Sequence, residues 1–332
     1  MATQTYNLDE IFAITTKYID DQISEIFMNT TPLYNEIMKK KEYVDGGNRL
    51  TVALDFNPNQ SINYITGTSA DLLNVNTQQN LIPAELDWKF LYSNFSITLK
   101  DLNATADSKH AIVSLVSQKA KNTLASVRQF LAKSFYASAA SDPNAFNGMA
   151  DIFASSGTAY AGLLDTDLGL DEVGDAKWLP QFDTSSTVCS YATIEPMITK
   201  LKTKASINGN GAKLGYMVSK ANILSAFKQK QQLNQRFLPA KDLEAGFDGV
   251  NVDGVIWYAD EFAPAGHLYL INPDSIKFFY KYGFEGKNSP QDISGLRLPN
   301  QPVMIHQKFY TGNLFCVDRR VNGVFTNLNP AA

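Results

Sequence analysis

Ile112, Leu115, Val116, Ala120, Leu124, Val127, Leu131 and Phe135 recur at three- and four-residue intervals between Asn103 and Ala140, the apolar stripe of one amphipathic helix. At 1.5 Å per residue such a helix would run about 50 Å, longer than the interior of a compact domain of this size requires. The spacing therefore predicts a spine that braces an extended body.

The flanking segments change period repeatedly. Leu8, Ile11, Phe12, Ile19, Ile23 and Phe27 mark residues 7 to 42 as helical, with Pro32 breaking the run. A second short helix, Leu33 to Met38, follows the break and ends in Lys39, Lys40 and Lys41, cations suited to a helix C-terminus. After Gly46-Gly47 the period becomes two, with Leu50, Val52, Leu54 and Phe56 alternating as in a half-buried strand. A matching strand pattern returns at Leu86-Asp-Trp88-Lys-Phe90 and Phe95-Ser-Ile97-Thr-Leu99. Between the two runs lie roughly thirty residues rich in Asn, Gln, Thr and Ser, far beyond the two to five of an ordinary hairpin loop. The paired strands predict a protruding arm, whose apolar points include Tyr64, Ile65, Leu72, Leu73, Leu81 and Ile82.

Residues 141 to 192 read as loops and short strands, with turn signals at Asp142-Pro143-Asn144 and Asn147-Gly148. Helices are expected from Thr193 to Ala205 and from Lys220 to Gln232, with a strand at Lys213 to Val218 between them. Further strands are expected at Val255 to Tyr258, at His267 to Ile271, and through most of Pro302 to Phe325, broken at Thr311-Gly312-Asn313. No repeat or low-complexity linker divides the chain, so the class is α+β with extended arms.

Composition removes several function classes. With 29 basic against 33 acidic residues, the chain lacks the excess positive charge that drives sequence-independent nucleic-acid affinity. No apolar window reaches the length of a membrane span, and the N-terminus lacks a basic segment followed by an apolar one, so an unexported protein without membrane contact is expected. Cys189 and Cys316 form no CxxC motif or disulfide framework and suit a reducing cytoplasm.

Catalytic signatures are sparse. His110, His267 and His306 are widely separated, and no HExxH or GxSxG occurs. Gly209-Asn-Gly211-Ala-Lys-Leu-Gly215 has the wrong spacing for a dinucleotide loop and precedes a strand, and Gly286-Lys287 has Lys281 where a phosphate loop needs glycine. The carboxylates Asp165, Asp167, Asp171, Glu172 and Asp175 are hard oxygen ligands. A calcium loop starting there would need Gly and Glu where Leu170 and Ala176 stand, which leaves a looser metal site or a solvated loop. No cofactor, metal or catalytic residue is assigned from these patterns.

In order and spacing, several segments resemble the major capsid proteins of tailed bacteriophages, the Hong Kong 97 type (HK97-like) of capsid fold. They are the N-terminal helix closing at Pro32-Leu33, Gly46-Gly47, Ala84-Glu85-Leu86-Asp87-Trp88 before the long helix, Phe146-Asn-Gly148-Met, and Tyr160-Ala-Gly162-Leu. Gln235-Arg236-Phe237, Gly246-Phe247, Asp260 with Pro264-Ala-Gly266-His-Leu-Tyr269, Thr311-Gly312-Asn313-Leu314 and Asp318-Arg319-Arg320-Val-Asn-Gly323-Val continue the series. The resemblance implies an N-terminal arm over residues 1 to 44 and a hairpin called the E-loop over 45 to 100. It further implies a peripheral domain with the spine helix over 101 to 192, a mainly axial domain over 193 to 292, and C-terminal strands of the peripheral domain over 293 to 332.

The implied function is that of a subunit assembling with copies of itself, as hexamers and pentamers, into the icosahedral head of a virion around double-stranded DNA. Assembly would occur in the bacterial cytoplasm, with a portal and decoration proteins as further partners. Because the helical arm begins almost at Met1, leaving no room for a fused scaffold, a separate scaffolding protein is implied. Candidate contacts between copies are Tyr64, Leu72, Leu73, Leu81 and Ile82; Arg319 and Arg320 pair either with carboxylates across a subunit boundary or within the subunit. Some members of the family cross-link a hairpin lysine to a neighbour's asparagine. From Asn57 to Trp88 this chain has no Lys or Arg, with Lys89 and Lys100 near the hairpin base, so a non-covalent shell is expected. The alternatives are an encapsulin-like shell around an enzyme cargo and a soluble enzyme using the carboxylates of 165 to 175.

Overall fold

The computed structural model describes residues 31–56, 62, 64–65, 67, 80–98, 100, 109–170, 174–207, 214–232, 249–284, 288–297 and 303–330. The expected helix before Pro32, Leu72 and Leu73, the glycine run from Gly209, Gln235 to Phe237 and Gly286-Lys287 lie outside them.

The spine is helix α2, Lys109–Ser134, preceded by the short α1, Pro32–Lys39. Val116, Val127 and Leu131 of the stripe are buried, as is Phe135 just beyond the helix. The helix stops six residues before Ala140, where Tyr136 and Ala137 N–H close the last turn on Lys133 O and Ser134 O and another segment packs against the turn that follows. The Met149 N–H donates to Phe135 O at 2.6 Å, and a Cβ on Gly148 would stand 2.2 Å from Ala137 O. Only glycine permits that approach. Asp151, in helix α3 (Met149–Ile152), accepts from the Ala139 and Gly148 N–H groups at 2.8 and 3.2 Å and fixes the turn.

One sheet is organised by the long strand β12, Val303–Cys316. Strand β4 (Lys89–Thr98) runs antiparallel along one edge, with Phe90 opposite Thr311 and Tyr92 opposite Phe309. β10 (Ile276–Tyr282) and β11 (Ile293–Arg297) share the other edge, and β1 (Glu42–Tyr43) pairs with β10. The break expected at Thr311-Gly312-Asn313 is absent: β12 runs through it. Gly312 is needed for space inside the strand, because a Cβ there would meet the Phe278 ring at 2.7 Å and Phe279 O at 2.8 Å.

The second sheet has the order β5 (Gln181–Asp183), β13 (Gly323–Phe325), β9 (Leu268–Ile271), β6 (Tyr216–Ser219), β8 (Val255–Ala259), β7 (Val250–Val252). On one face α4 (Tyr191–Ile207) and α5 (Ala221–Gln232) pack Ile194, Ile198, Leu201, Leu224 and Phe227 against Met217, Trp257 and Leu270. The alternate residues Tyr216, Val218, Tyr269 and Ile271 join the main core shared with the first sheet and the spine. β10 pairs with β12, whereas β13 pairs with β9. In register, β13 is held between β5 and β9.

Strands β2 (Arg49–Asp55) and β3 (Leu81–Asp87) form the expected hairpin, in register from Arg49 opposite Asp87 to Asp55 opposite Leu81. Its inward residues Leu50, Leu54 and Ala84 are buried in the main core. Burying a leucine contributes about 1.5–3 kcal/mol, so the stem belongs to the body.

Candidate assembly surfaces

Near the hairpin apex, Ile62, Tyr64 and Ile65 are 80%, 107% and 61% exposed, and Leu81 at the top of β3 is 59% exposed. Strand alternation turns the next residue inward, so Ile82 is half-buried against the main core.

The two expected arginine contacts resolve differently. Arg319 is fully buried within its own subunit, which overturns its reading as a group that reaches a neighbour. Its guanidinium donates to Ile152 O (2.8 Å), Trp178 O (3.0 Å) and Ala154 O (3.2 Å) and lies 5.0 Å from the Tyr160 ring centroid. A planar fork of donors suits three fixed carbonyls where a lysine ammonium does not. Burial lowers its pKa from the ordinary arginine value. Arg320 is half-buried and pairs within the chain, Nε to Asp318 Oδ2 at 3.2 Å.

A surface absent from the sequence reading lies on the first sheet. Phe90 (73% exposed) and Tyr92 (64% exposed) share one face of β4, where the Tyr92 ring leans on Phe309 of β12 with centroids 6.5 Å apart. Their cross-strand partners make a face without charge: Phe90, Tyr92, Asn94, Ser96 and Thr98 oppose Thr311, Phe309, Gln307, Ile305 and Val303. Aromatic residues two apart in one strand, in register with a third in its partner, were the available signal; the register itself is not written locally. β4 runs from Gly312 back to Val303, while the stem runs from the same base toward Ala161 and Lys177, beside Trp178 and the end of β12.

The carboxylates considered as metal ligands turn to separate partners. Asp165 accepts from Ser156 Oγ (2.5 Å) and the Gly157 N–H (3.3 Å), and the Ser156 bond is the largest cause holding its pKa below the usual carboxylate value. Asp167 accepts from the Leu164 N–H, and Asp175 pairs with Lys204 and Lys200 at 2.5 and 3.2 Å. Asp171 and Glu172 lie outside the described residues, among which no group of three metal-binding side chains converges. The histidines are dispersed. His110 falls in α2, His267 contacts Ala265 O just before β9, and His306 of β12 stacks on Phe95. Among the described residues no helix is long and apolar enough to cross a membrane.

Neither a protein-family model nor a curated protein matches the sequence. Solved structures do match in fold. The capsid asymmetric unit of cyanophage A-1(L) aligns with a TM-score of 0.66 at 12% identity, covering 92% of this chain and 94% of its own. The capsid of an empty GTA particle aligns at 0.57 and 10% identity, covering 88% and 96%. The holo-SrpI encapsulin complex of Synechococcus elongatus PCC 7942 aligns at 0.54 and 8% identity, covering 89% and 88%. The spine helix, the docked hairpin and the two sheets that share one core are, over nearly the whole chain, the Hong Kong 97-type α+β fold of phage major capsid proteins.

Proposed function

We propose that this chain is a structural subunit of a closed icosahedral shell, assembling with its own copies as hexamers and pentamers around double-stranded DNA and performing no catalysis. The observation that carries the reading is the fold likeness to a phage capsid subunit over 92% of this chain and 94% of that one. The two apolar surfaces support it. Exposed apolar residues near the hairpin apex and an uncharged aromatic face on the first sheet suit contacts between copies, and head-to-tail contacts close into rings when the rotation allows. Obligate interfaces commonly bury ~2,000–5,000 Å² with an apolar centre, and a shell subunit gathers such area from several neighbours.

In this reading residues 1 to 44 act as an arm, 45 to 100 as the E-loop, 101 to 192 with 293 to 332 as the peripheral domain, and 193 to 292 mainly as the axial domain. β10 is transferred to the peripheral sheet and β13 to the axial one. Tyr64 and Leu81, with Leu72 and Leu73, are contacts of the apex. A separate scaffolding protein, a portal and decoration proteins are the expected partners, and the shell forms in the host cytoplasm. Joining of subunits is non-covalent, so mature particles run as single chains on denaturing gels; ladders would overturn this part.

Electron microscopy of the purified protein, with and without host lysate, tests the assignment. Closed icosahedral shells are expected, and persistent monomers across salt conditions would refute it. The encapsulin likeness favours one second reading, a shell around protein cargo. The contents of native particles, DNA or protein, decide between them.

A further inference from the structure

The E-loop hairpin is fastened to the body along its whole stem. At its base, Lys281 of β10 donates Nζ–H to Gly47 O, and its ammonium stands 4.5 Å above the Trp88 ring, so one side chain holds both strands of the base. Asn313, fully buried in β12, donates Nδ2–H to Asp87 O at 2.9 Å. Midway, the outer edge of β3 is bonded to the body, with Glu85 N–H donating to Ala161 O at 2.9 Å. At the far end Lys177 Nζ donates to Phe56 O at 3.0 Å, beside the last cross-strand bond, Phe56 N–H to Asn80 O. Leu50, Leu54 and Ala84 are buried underneath.

We propose that the stem is a fixed part of the subunit body, clamped at its far end by Lys177, and that Gly46-Gly47 do not serve as a hinge for it. Those two glycines have φ of +76° and +75° and look like a hinge, yet they sit beneath the Lys281 and Asn313 anchors. Swinging the hairpin from its base would break the two attachments farther up the stem, Glu85 to Ala161 and Lys177 to Phe56, and expose three core residues. The inference concerns the isolated chain and holds whether or not the protein builds a shell.

Hydrogen exchange of the unassembled full-length chain at single-amide resolution tests it, because Glu85 reports docking while its neighbours report the hairpin. The Glu85 N–H points outward to Ala161; strand alternation points those of Ala84 and Leu86 inward, to β2. With a fixed stem, Glu85 exchanges within about tenfold of Leu86; exchange more than about a hundredfold faster would overturn the proposal, since the stem would then lift as a unit. Lys177→Met keeps most of the aliphatic length and removes the donor. It is expected to accelerate exchange at Glu85 by about tenfold while leaving Phe278 in β10 unchanged, and an unaltered Glu85 rate would overturn the clamp. Should the variant fail to fold, the wild-type ratio alone decides whether the stem is fixed.

Discussion

Arg319→Met separates a residue that holds one subunit together from one that joins two. The substitution keeps an apolar stem but removes the donors to Ile152 O, Ala154 O and Trp178 O, in a site with no exposure. A buried acceptor left without its donor costs about 1–3 kcal/mol, and a desolvated cation over an aromatic ring contributes up to about 2 kcal/mol. Removing the buried charge recovers part of its desolvation cost. Taking the low end for each carbonyl and adding the lost Tyr160 contact gives a net destabilisation of about 4 kcal/mol, a large share of a typical total of about 5–15. With a urea slope of about 3 kcal/mol/M, the unfolding midpoint of the unassembled chain should fall by about 1.3 M. Arg319→Lys, a point charge facing three carbonyls, should lose about 2 kcal/mol. Arg320→Met should lose less than about 1 kcal/mol, because its pair with Asp318 is partly solvated. A midpoint for Arg319→Met within about 0.3 M of wild type, together with failed assembly, would refute the argument and return Arg319 to a subunit boundary.

Three further outcomes are expected. Phe90→Ser combined with Tyr92→Ser should leave the unfolding midpoint within about 0.5 kcal/mol of wild type, since both rings are mostly exposed, while reducing the yield of shells seen by light scattering; full assembly would remove this face from the contacts. Asp175 is held below its ordinary pKa of 3.8, chiefly by Lys204, so its contribution is present above that value and lost as pH falls through the lowered one. Asp175→Asn should therefore cost about 1 kcal/mol at pH 7, discounted for solvent screening, and nothing in strong acid; a pH-independent difference in denaturant titrations would contradict the ion pair. Burial pushes the Cys189 thiol up to about 12 and Cys316 higher still, so iodoacetamide should label neither in the native chain and both in urea, as read by mass spectrometry.

Features whose physics is local were legible in the sequence. The spine stripe, α1 after Pro32, α4, α5 and the β2–β3 hairpin emerge from periodicity because side-chain spacing alone decides which face is apolar. What stayed hidden depends on residues far along the chain. Gly312 reads as a turn because nothing nearby announces that Phe278 will press against it. Arg319 and Arg320 are identical neighbours in sequence, but one is enclosed by a loop more than 140 residues earlier and the other faces Asp318. The Phe90 and Tyr92 face needed the β4–β12 register, and the anchors of the hairpin needed β10, a strand the sequence reading did not include. The candidate surface was thus half legible: its exposed apex came from composition, its aromatic face only from pairing.

The position of β12 and β13 bears on when the chain can finish folding. β12 is the strand on which β4, β10 and β11 all depend, and β13 lies between β5 and β9. During synthesis β4 and β11 must wait for β12, and β5 for β13, to leave the ribosome, with β4 spending some two hundred codons without its partner. Such distant pairing slows folding and leaves strand edges open meanwhile. It also delays the aromatic face, which needs Phe309 beside Tyr92, so a half-made chain cannot offer that surface to a finished neighbour. Synthesis of residues 303 to 325 then becomes a checkpoint on incorporation.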